Sequence, residues 1–523
     1  MEVDMILAGI WSILPPVIAI VLALITKEVF SSLLVGILSG TVIYACFAEA
    51  PFYTAFTNIP KLMAAQISDN GTMLLFLALL GALVVVVTMA GGSRAYGNWA
   101  RRKIRSGTAS KLLSMLLGII IFIDDYFNCL TVGTVMRPVT DKFGVSREKL
   151  AYIIDSTAAP VCIIAPISSW AAAVASNLDA ENGFTMFLNA IPFNLYALLT
   201  ITMVLVMCTK NLDFGPMRKA ELEARARFEE SGADESEEMD ADFDGIQISQ
   251  KGKVIDLILP ILTLVVFSIV GMAFVGGFFE GKEDFISAIG ESPTDGLCIG
   301  ALAALIVAFI MYIPRKLVTF RNFMGGVQQG VKSMVPAIMI LTFAWSLSHV
   351  CRDWIGTPEF VSGIVKSIAE GGGGSFLIRL LPAIIFLIAA FLSFSTGTAW
   401  GTFGILLPIV TAIFDGPNAD MLIAAMGATL AGSVFGDHCS PISDTTILSS
   451  TGAKCDHIRH VSTQIPYAVF VAIICFIGYV AYGLTTGVTT GPWLMLLVAF
   501  GIFAAALAVI HFMYKKEKVS AGK

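Results

Sequence analysis

Long apolar stretches separated by short polar loops run through the whole chain. Nine of these stretches are long enough to cross a bilayer as a helix, which takes about 20 apolar residues. They lie at about 6–26, 29–48, 72–91, 187–208, 254–276, 293–313, 332–350, 461–483 and 491–513. Two further apolar regions, 110–178 and 376–450, are interrupted by Gly, Pro, Asp, Ser and Thr. The pattern predicts an all-α polytopic membrane protein, because helices satisfy their own backbone hydrogen bonds in lipid.

The two interrupted regions resemble each other in the order of their motifs. The matching pairs are 166–169 with 441–444 (PISS and PISD), 191–193 with 465–467 (IPF and IPY), and 128–138 with 398–408 (NCLTVGTVMRP and TAWGTFGILLP). Broken apolar segments at corresponding positions of two halves are typical of secondary transporters, which bind substrate at the breaks. We therefore expect an internal repeat, with residues 1–208 as the first unit and residues 254–483 as the second.

The distribution of Lys and Arg predicts how the two units are oriented. The stretch 94–111 carries six basic residues and is expected in the cytoplasm by the positive-inside rule, which places the N-terminus outside. Re-entrant hairpins at 110–138 and 376–410 keep the neighbouring basic loops inside. Broken spans at 150–178 and 421–450 then make the crossings. The predicted topology has about eleven spans and two hairpins, with two repeats of inverted orientation and the C-terminus in the cytoplasm.

Residues 209–253 are the one long polar segment. Basic residues near the preceding span are followed by a dense acidic run between positions 221 and 244. This composition is typical of a flexible or partly helical linker, which we expect in the cytoplasm between the repeats. Residues 484–523 add a final span and a basic cytoplasmic tail.

Composition agrees with the membrane class. The chain is 56% hydrophobic and 14% charged, whereas soluble proteins carry about 25% charged residues. Its nine cysteines are scattered singly and predict no disulfide framework. We expect the lipid bilayer and a small transported cation as partners, and no nucleic acid.

The segment AGSVFGDHCSPISDTTILSS at 431–450 places two aspartates inside apolar sequence. A charged side chain at bilayer depth costs about 2.5–3.5 kcal/mol, so Asp437 and Asp444 need a cation, a proton or hydrogen-bonding neighbours. Gly436 and Pro441 are expected to break the helix and free backbone carbonyls. Carboxylate, hydroxyl and carbonyl oxygens suit Na⁺. Our hypothesis is a Na⁺ site at Asp437 and Asp444 whose carboxyls hold the cation and the proton in turn.

Polar residues at the other breaks complete the candidate site. The remaining candidates for cation or proton binding are Asp124, Asp125 and Asp155. The candidates for support or substrate contact are Asn128, Ser168, Ser395, Thr396, Thr398, His438, Ser440, Ser443, Thr445 and Arg137. Asp124 and Asp125 are adjacent, so one is expected to face inward and the other to cap a helix or pair with Arg137.

Other polar and aromatic residues near the breaks are assigned simpler roles. His438 is expected as a hydrogen-bond donor or proton relay, since no second Cys/His pair is spaced for zinc. His457 and His460 are expected at a span end or in a loop. Trp170 and Trp400 are expected to be packing residues rather than gates.

The string GDHCSPISDTTILSS at 436–450 closely resembles the signature of the NhaC-type sodium/proton antiporter family. The stretches 395–409 and 124–171 resemble other blocks of that family, and the resemblance runs from about 70 to 480. It implies a secondary transporter with inverted repeats, each holding a hairpin and a broken span, and a homodimer. Some members of the family resemble sodium-linked exchangers of organic acids, such as malate/lactate antiporters.

Three functions compete for these residues. The first is Na⁺(Li⁺)/H⁺ antiport across a prokaryotic plasma membrane, with Na⁺ and H⁺ as transported ions and no cofactor. The second is Na⁺- or H⁺-coupled transport of a small organic acid or amino acid, with Arg137 or a hydroxyl-rich hairpin tip on the substrate carboxylate. The third, an intramembrane aspartyl protease, lacks its Gly-x-Gly-Asp motif, because positions 434–437 read VFGD. We therefore expect a transporter and no enzyme.

Overall fold

The structure, a computed structural model, places most of the chain in helices. The described residues are 4–26, 28–122, 125–166, 168–176, 183–231, 248–283, 285–291, 293–360, 363, 374–414, 421–485 and 491–521. Across these ranges 84% of the chain is helical and no strand is present. The predicted all-α class is confirmed.

The helices are numbered α1 to α23 in chain order. Their bounds are Leu14–Thr26 (α1), Val29–Phe47 (α2), Tyr53–Asp69 (α3), Gly71–Met89 (α4), Gly92–Lys103 (α5), Gly107–Ile120 (α6), Asp125–Asp141 (α7), Arg147–Asp155 (α8), Ala159–Cys162 (α9), Ser169–Ser176 (α10), Gly183–Ala190 (α11), Leu195–Lys210 (α12), Gly215–Ser231 (α13), Ile255–Val275 (α14), Phe285–Glu291 (α15), Pro293–Tyr312 (α16), Phe320–His349 (α17), Gly374–Thr396 (α18), Ala399–Ile413 (α19), Leu422–Cys439 (α20), Asp444–Ala453 (α21), His457–Thr485 (α22) and Trp493–Ala521 (α23).

Nine helices in the described ranges are long and apolar enough to cross a membrane. They confirm a polytopic membrane protein. The first predicted span, 6–26, forms a shorter apolar helix at Gly9–Ala23. The predicted span 332–350 is part of a longer helix, since α17 already begins at Phe320.

The four interrupted segments contain paired or broken helices. In 110–138, α6 packs against α7, and in 376–410, α18 packs against α19. In 150–178 the helix stops at Asp155 and resumes as α9 and α10. In 421–450 it stops at Cys439 and resumes at Asp444.

Gly436 does not break its helix, and the prediction that it does is wrong. Helix α20 runs through Gly436 to Cys439. A methyl group at Gly436 would lie 2.2 Å from the backbone oxygen of Ala390 in α18. The missing side chain therefore lets α18 approach α20 closely.

Two large clusters of buried apolar side chains, called core one and core two here, form most of the described interior. Core one includes side chains from α4, α7, α14, α16 and α17. Core two includes side chains from α12, α18, α20 and α22. Helix α20 contributes Val434 and Cys439 to core two, whereas α21 contributes Ile447 and Leu448 to core one. The break at 440–443 therefore crosses from one core to the other.

The first part of the predicted linker is a docked helix. In α13, Met217 and Glu221 are 0% and 3% exposed. Glu221 Oε1 accepts hydrogen bonds from the backbone N–H and the hydroxyl of Ser146 at 2.8 and 2.7 Å. Because Ser146 caps α8, α13 is fixed to the start of the helix that ends at Asp155. Residues 232–247 lie outside the described ranges.

Candidate functional site

The break in the second half is built by local sequence. Pro441 cannot donate a backbone hydrogen bond, which ends a helix readily. Ser443 caps the following helix, because its hydroxyl accepts a hydrogen bond from the backbone N–H of Thr446 at 3.3 Å. Asp444 is the first residue of α21, where the helix dipole stabilises a negative charge.

Thr445 links the carboxyl groups of the two predicted cation-binding residues. Asp437 and Asp444 are 1% and 5% exposed. The Thr445 hydroxyl donates to Oδ2 of Asp437 at 2.6 Å, and its backbone N–H donates to Oδ1 of Asp444 at 2.8 Å. The Ser443 hydroxyl lies 3.1 Å from the Thr445 hydroxyl. Within the described residues, Oδ1 of Asp437 accepts no hydrogen bond.

Tyr126 of the first half also contacts this pair. Its hydroxyl donates to Oδ2 of Asp444 at 2.6 Å. Tyr126 lies in the first turn of α7, 318 positions away from Asp444 in sequence. The sequence analysis missed it, and the only signal was its place directly after two aspartates in DDYFN.

Asp155 lies in a second buried cluster. Its Oδ1 accepts a hydrogen bond from Ser449 at 3.2 Å, and its Oδ2 accepts from Thr446 at 3.3 Å. Gln464 donates its Nε2 hydrogen to Oδ2 at 2.5 Å, and His460 Nε2 lies 3.5 Å from the same oxygen. The sequence analysis did not assign Ser449, Gln464 and His460 to the site, whereas Thr446 belongs to the polar cluster of the second broken span. The four residues come from α21 and α22, so Asp155 joins the two broken segments.

The histidines near the breaks take part in the same polar network. His438 Nε2 lies 3.2 Å from the backbone oxygen of Asp155, and its Nδ1 lies 3.2 Å from the Tyr196 hydroxyl. His457 Nε2 lies 2.7 Å from the backbone oxygen of Pro441. His457 and His460 begin α22 as expected of a span end, but they contact the site.

Asn128 fixes the turn of the first hairpin. Its Nδ2 donates to the backbone oxygens of Gly118 at 2.6 Å, Ile121 at 2.7 Å and Thr157 at 3.1 Å. It thereby joins the end of α6 to the break after α8. Of the other candidates in this hairpin, Asp125 is fully buried, Arg137 is half-buried in α7, and Asp124 lies outside the described residues.

The second hairpin packs its turn against the break at 440–443. Gly397 has φ +69°, and a methyl group there would lie 2.6 Å from the backbone oxygen of Ile442. The Ser440 hydroxyl donates to the backbone oxygen of Phe394 at 2.8 Å. Thr398 caps α19 by accepting from Gly401 at 3.4 Å, and the Thr396 hydroxyl bonds within its own helix.

Ser168 lies at the cap of α10, as Ser443 does at the cap of α21. Its hydroxyl accepts a hydrogen bond from the backbone N–H of Ala171 at 3.1 Å and donates one to the backbone oxygen of Cys162 at 2.8 Å. The described part of the chain contains no group of three or more His, Cys, Asp or Glu side chains placed to hold a metal ion. A cation at Asp437 and Asp444 would therefore need hydroxyl and backbone oxygens as its remaining ligands.

The chain matches a transporter family over more than half of its length and one relative over nearly all of it. The family model of the Na⁺/H⁺ antiporter family matches residues 176–484. An uncharacterised protein of Haemophilus influenzae is 38% identical over 527 residues, which cover 98% of this chain and 96% of that protein.

Two relatives with assigned activities match shorter parts of the chain. The malate-2H⁺/Na⁺-lactate antiporter of Bacillus subtilis is 26% identical over 215 residues, 36% of this chain and 43% of that protein. The arginine/ornithine antiporter of Halobacterium salinarum is 31% identical over 170 residues, 32% of each chain.

Proposed function

Because the chain belongs to the Na⁺/H⁺ antiporter family and is therefore a secondary antiporter, we propose that it exchanges cytoplasmic Na⁺ or Li⁺ for external protons. Asp437 and Asp444 are the carboxyls that bind the cation and the protons. The exchange proceeds by alternating access in the inner membrane of a prokaryotic cell. The N-terminus is outside, the C-terminus is in the cytoplasm, and the protein works as a homodimer.

The carboxyl pair linked by Thr445 carries this proposal. Two buried carboxylates repel each other and lose their hydration, so a proton or a cation must compensate their charge. The pair binds either the cation or protons at one time, because both need the same carboxylate oxygens. Oδ1 of Asp437, which accepts no hydrogen bond from the described residues, and the hydroxyls of Ser443 and Thr445 supply the oxygen ligands that Na⁺ prefers.

Asp155 is the less suitable carrier, although its burial equals that of Asp437. Both of its carboxylate oxygens already accept hydrogen bonds from Ser449, Thr446 and Gln464. Buried charges that are fully hydrogen-bonded are stable without a transported ion. We assign Asp155 the role of holding α8 against α21 and α22.

The two cores give alternating access a physical basis. Asp437 lies on α20, which packs in core two, and Asp444 lies on α21, which packs in core one. A displacement of one core relative to the other changes the separation of the two carboxyls. The cation site is thereby assembled in one arrangement and taken apart in another.

A second candidate function is coupled exchange of a small carboxylate on the same scaffold. The malate-2H⁺/Na⁺-lactate antiporter is among the relatives. The observation in its favour is a pair of buried indole N–H groups, at Trp170 and Trp400, without a partner among the described residues. An indole N–H only donates, so it cannot bind a cation.

The test is Na⁺-driven collapse of a pH gradient in proteoliposomes. Asp437→Asn and Asp444→Asn should each reduce the collapse to the level of empty liposomes, because an amide neither releases a proton nor carries a charge. Asp69→Asn, at an exposed aspartate, is the matched control and should transport normally. Full activity in both site variants would exclude these carboxyls as carriers.

A further inference from the structure

Trp170 and Trp400 form a pair in the interior. Their ring centroids are 5.1 Å apart with an angle of 55° between the planes. Trp170 is 0% exposed, and the Nε1 atoms of both indoles are buried. Neither N–H donates a hydrogen bond to any residue that the structure describes.

Both indoles stand at the start of a helix that follows a break. Trp170 is the second residue of α10, which Ser168 caps, and Trp400 is the second residue of α19, which Thr398 caps. The first turn of a helix carries a partial positive charge and backbone N–H groups. The two indole donors are therefore placed where an anion is favoured.

Packing alone does not account for two tryptophans here. A buried N–H without an acceptor destabilises the folded state, and a phenyl ring would pack without that penalty. Phe403 already packs against both indoles, with ring centroids 5.5 Å from Trp170 and 5.8 Å from Trp400. The hydroxyl of Ser395, one turn before Thr398, is likewise buried without a partner in the described ranges.

The hairpin turn before Trp400 connects this pair to the break that holds the cation site. Trp400 lies two residues after Thr398 of the hairpin turn, and Gly397 of that turn packs against the backbone oxygen of Ile442. Ile442 lies within the break at 440–443, two residues before Asp444, the first residue of α21. An anion at the indoles and Na⁺ at the carboxyl pair would thus bind on either side of one turn contact, and each would reduce the charge that the other brings into the membrane.

We propose that Trp170 and Trp400 form a subsite that binds the carboxylate of a small organic substrate. The two indole N–H groups donate to the carboxylate oxygens, and the N-termini of α10 and α19 stabilise the charge. The inference deepens the proposed antiport function and rests on it only for the coupling to Na⁺, since binding of the carboxylate can be measured alone.

The experiment measures the thermal denaturation temperature of purified protein at constant Na⁺. The probes are the sodium salts of acetate, L-lactate, L-malate and L-glutamate, and L-arginine, with NaCl at matched ionic strength as the reference. At least one carboxylate should raise the denaturation temperature of the wild type, because binding to the folded state stabilises it. Absence of a response to every probe overturns the proposal.

Removal of the donors identifies the subsite. Trp170→Phe and Trp400→Phe keep an aromatic ring and should each weaken carboxylate binding about tenfold to a hundredfold, as expected for a hydrogen bond to a charged group. Trp354→Phe, at another buried tryptophan, should bind like the wild type. Incorporation of benzothienylalanine, which replaces the N–H by sulfur at constant size, should reproduce the loss without a packing change.

The experiments distinguish an error in the carboxylate subsite from an error in the proposed Na⁺/H⁺ exchange. If the Phe and benzothienyl variants bind the carboxylate as the wild type does, the subsite is wrong even when Na⁺ still drives pH-gradient collapse. If Na⁺ drives no collapse in the wild type while a carboxylate binds at the indoles, the Na⁺/H⁺ function fails and the subsite stands.

Discussion

Replacement of Thr445 by valine removes one hydroxyl from between the two buried carboxyls at nearly constant volume. That hydroxyl donates to Asp437 at 2.6 Å and lies 3.1 Å from the Ser443 hydroxyl. A hydrogen bond to a charged group contributes about 1.5–3 kcal/mol. Because the bond orients a carboxylate that we assign to Na⁺, the apparent affinity for Na⁺ should fall about tenfold to a hundredfold.

The assay for this variant is Na⁺-dependent collapse of a pH gradient in proteoliposomes over a range of Na⁺ concentrations. The Na⁺ concentration at half-maximal rate should rise in Thr445→Val and stay near the wild-type value in Thr445→Ser, which keeps the hydroxyl. Thr451→Val is a control on the same helix, because among the described residues that hydroxyl bonds only to the backbone oxygen of Ile447. An unchanged Na⁺ response in Thr445→Val, with the protein folded, would refute the assignment.

Two further substitutions test the structural supports of the site. Gly397→Ala should lower the free energy of unfolding by about 1–3 kcal/mol, because the residue has φ +69° and strained backbone of this kind costs about that much. Gly325→Ala is the control and should be neutral or stabilising, because a methyl group there would have no described atom within 4 Å. Equal melting temperatures of the two variants would contradict the close contact of Gly397 with Ile442. Glu221→Gln should cost about 1.5–3 kcal/mol, because Lys149 Nζ lies 3.6 Å from Glu221 Oε2 and would keep its ion pair with Asp213 but lose this second one. Exposed Glu229→Gln is its control in the same melts, and a wild-type melting temperature in Glu221→Gln would show that α13 is not held through this contact.

The helix breaks could be predicted from the sequence because their causes are local. Pro441 removes a backbone donor, and Ser443 is a preferred cap residue, so the interruption at 440–443 is encoded within a few positions. Gly436 misled the prediction, since a glycine weakens a helix by only about 1 kcal/mol. In the structure Gly436 affects helix packing, because the absence of a side chain lets the backbone of α18 contact the backbone of α20.

The neighbours of the buried acids could not be predicted in the same way, because they come from distant parts of the chain. Tyr126 is 318 positions from Asp444, and Gln464 is 309 positions from Asp155. No local pattern states which polar residue of one helix will meet an acid of another. A single sequence therefore identifies the acids and leaves their partners open.

The contrast between Asp155 and Asp437 shows why this limit affects function. In sequence each acid follows apolar residues and stands shortly before a polar break. In the structure the oxygens of Asp155 accept hydrogen bonds from three side chains, whereas one oxygen of Asp437 accepts none from the described residues. A carboxylate with all its acceptors in use is compensated by the protein, and one with a free oxygen requires a proton or a cation from outside. Under the proposed function, the carrier is the acid that the distant helices leave incompletely bonded, and tertiary packing decides which acid that is.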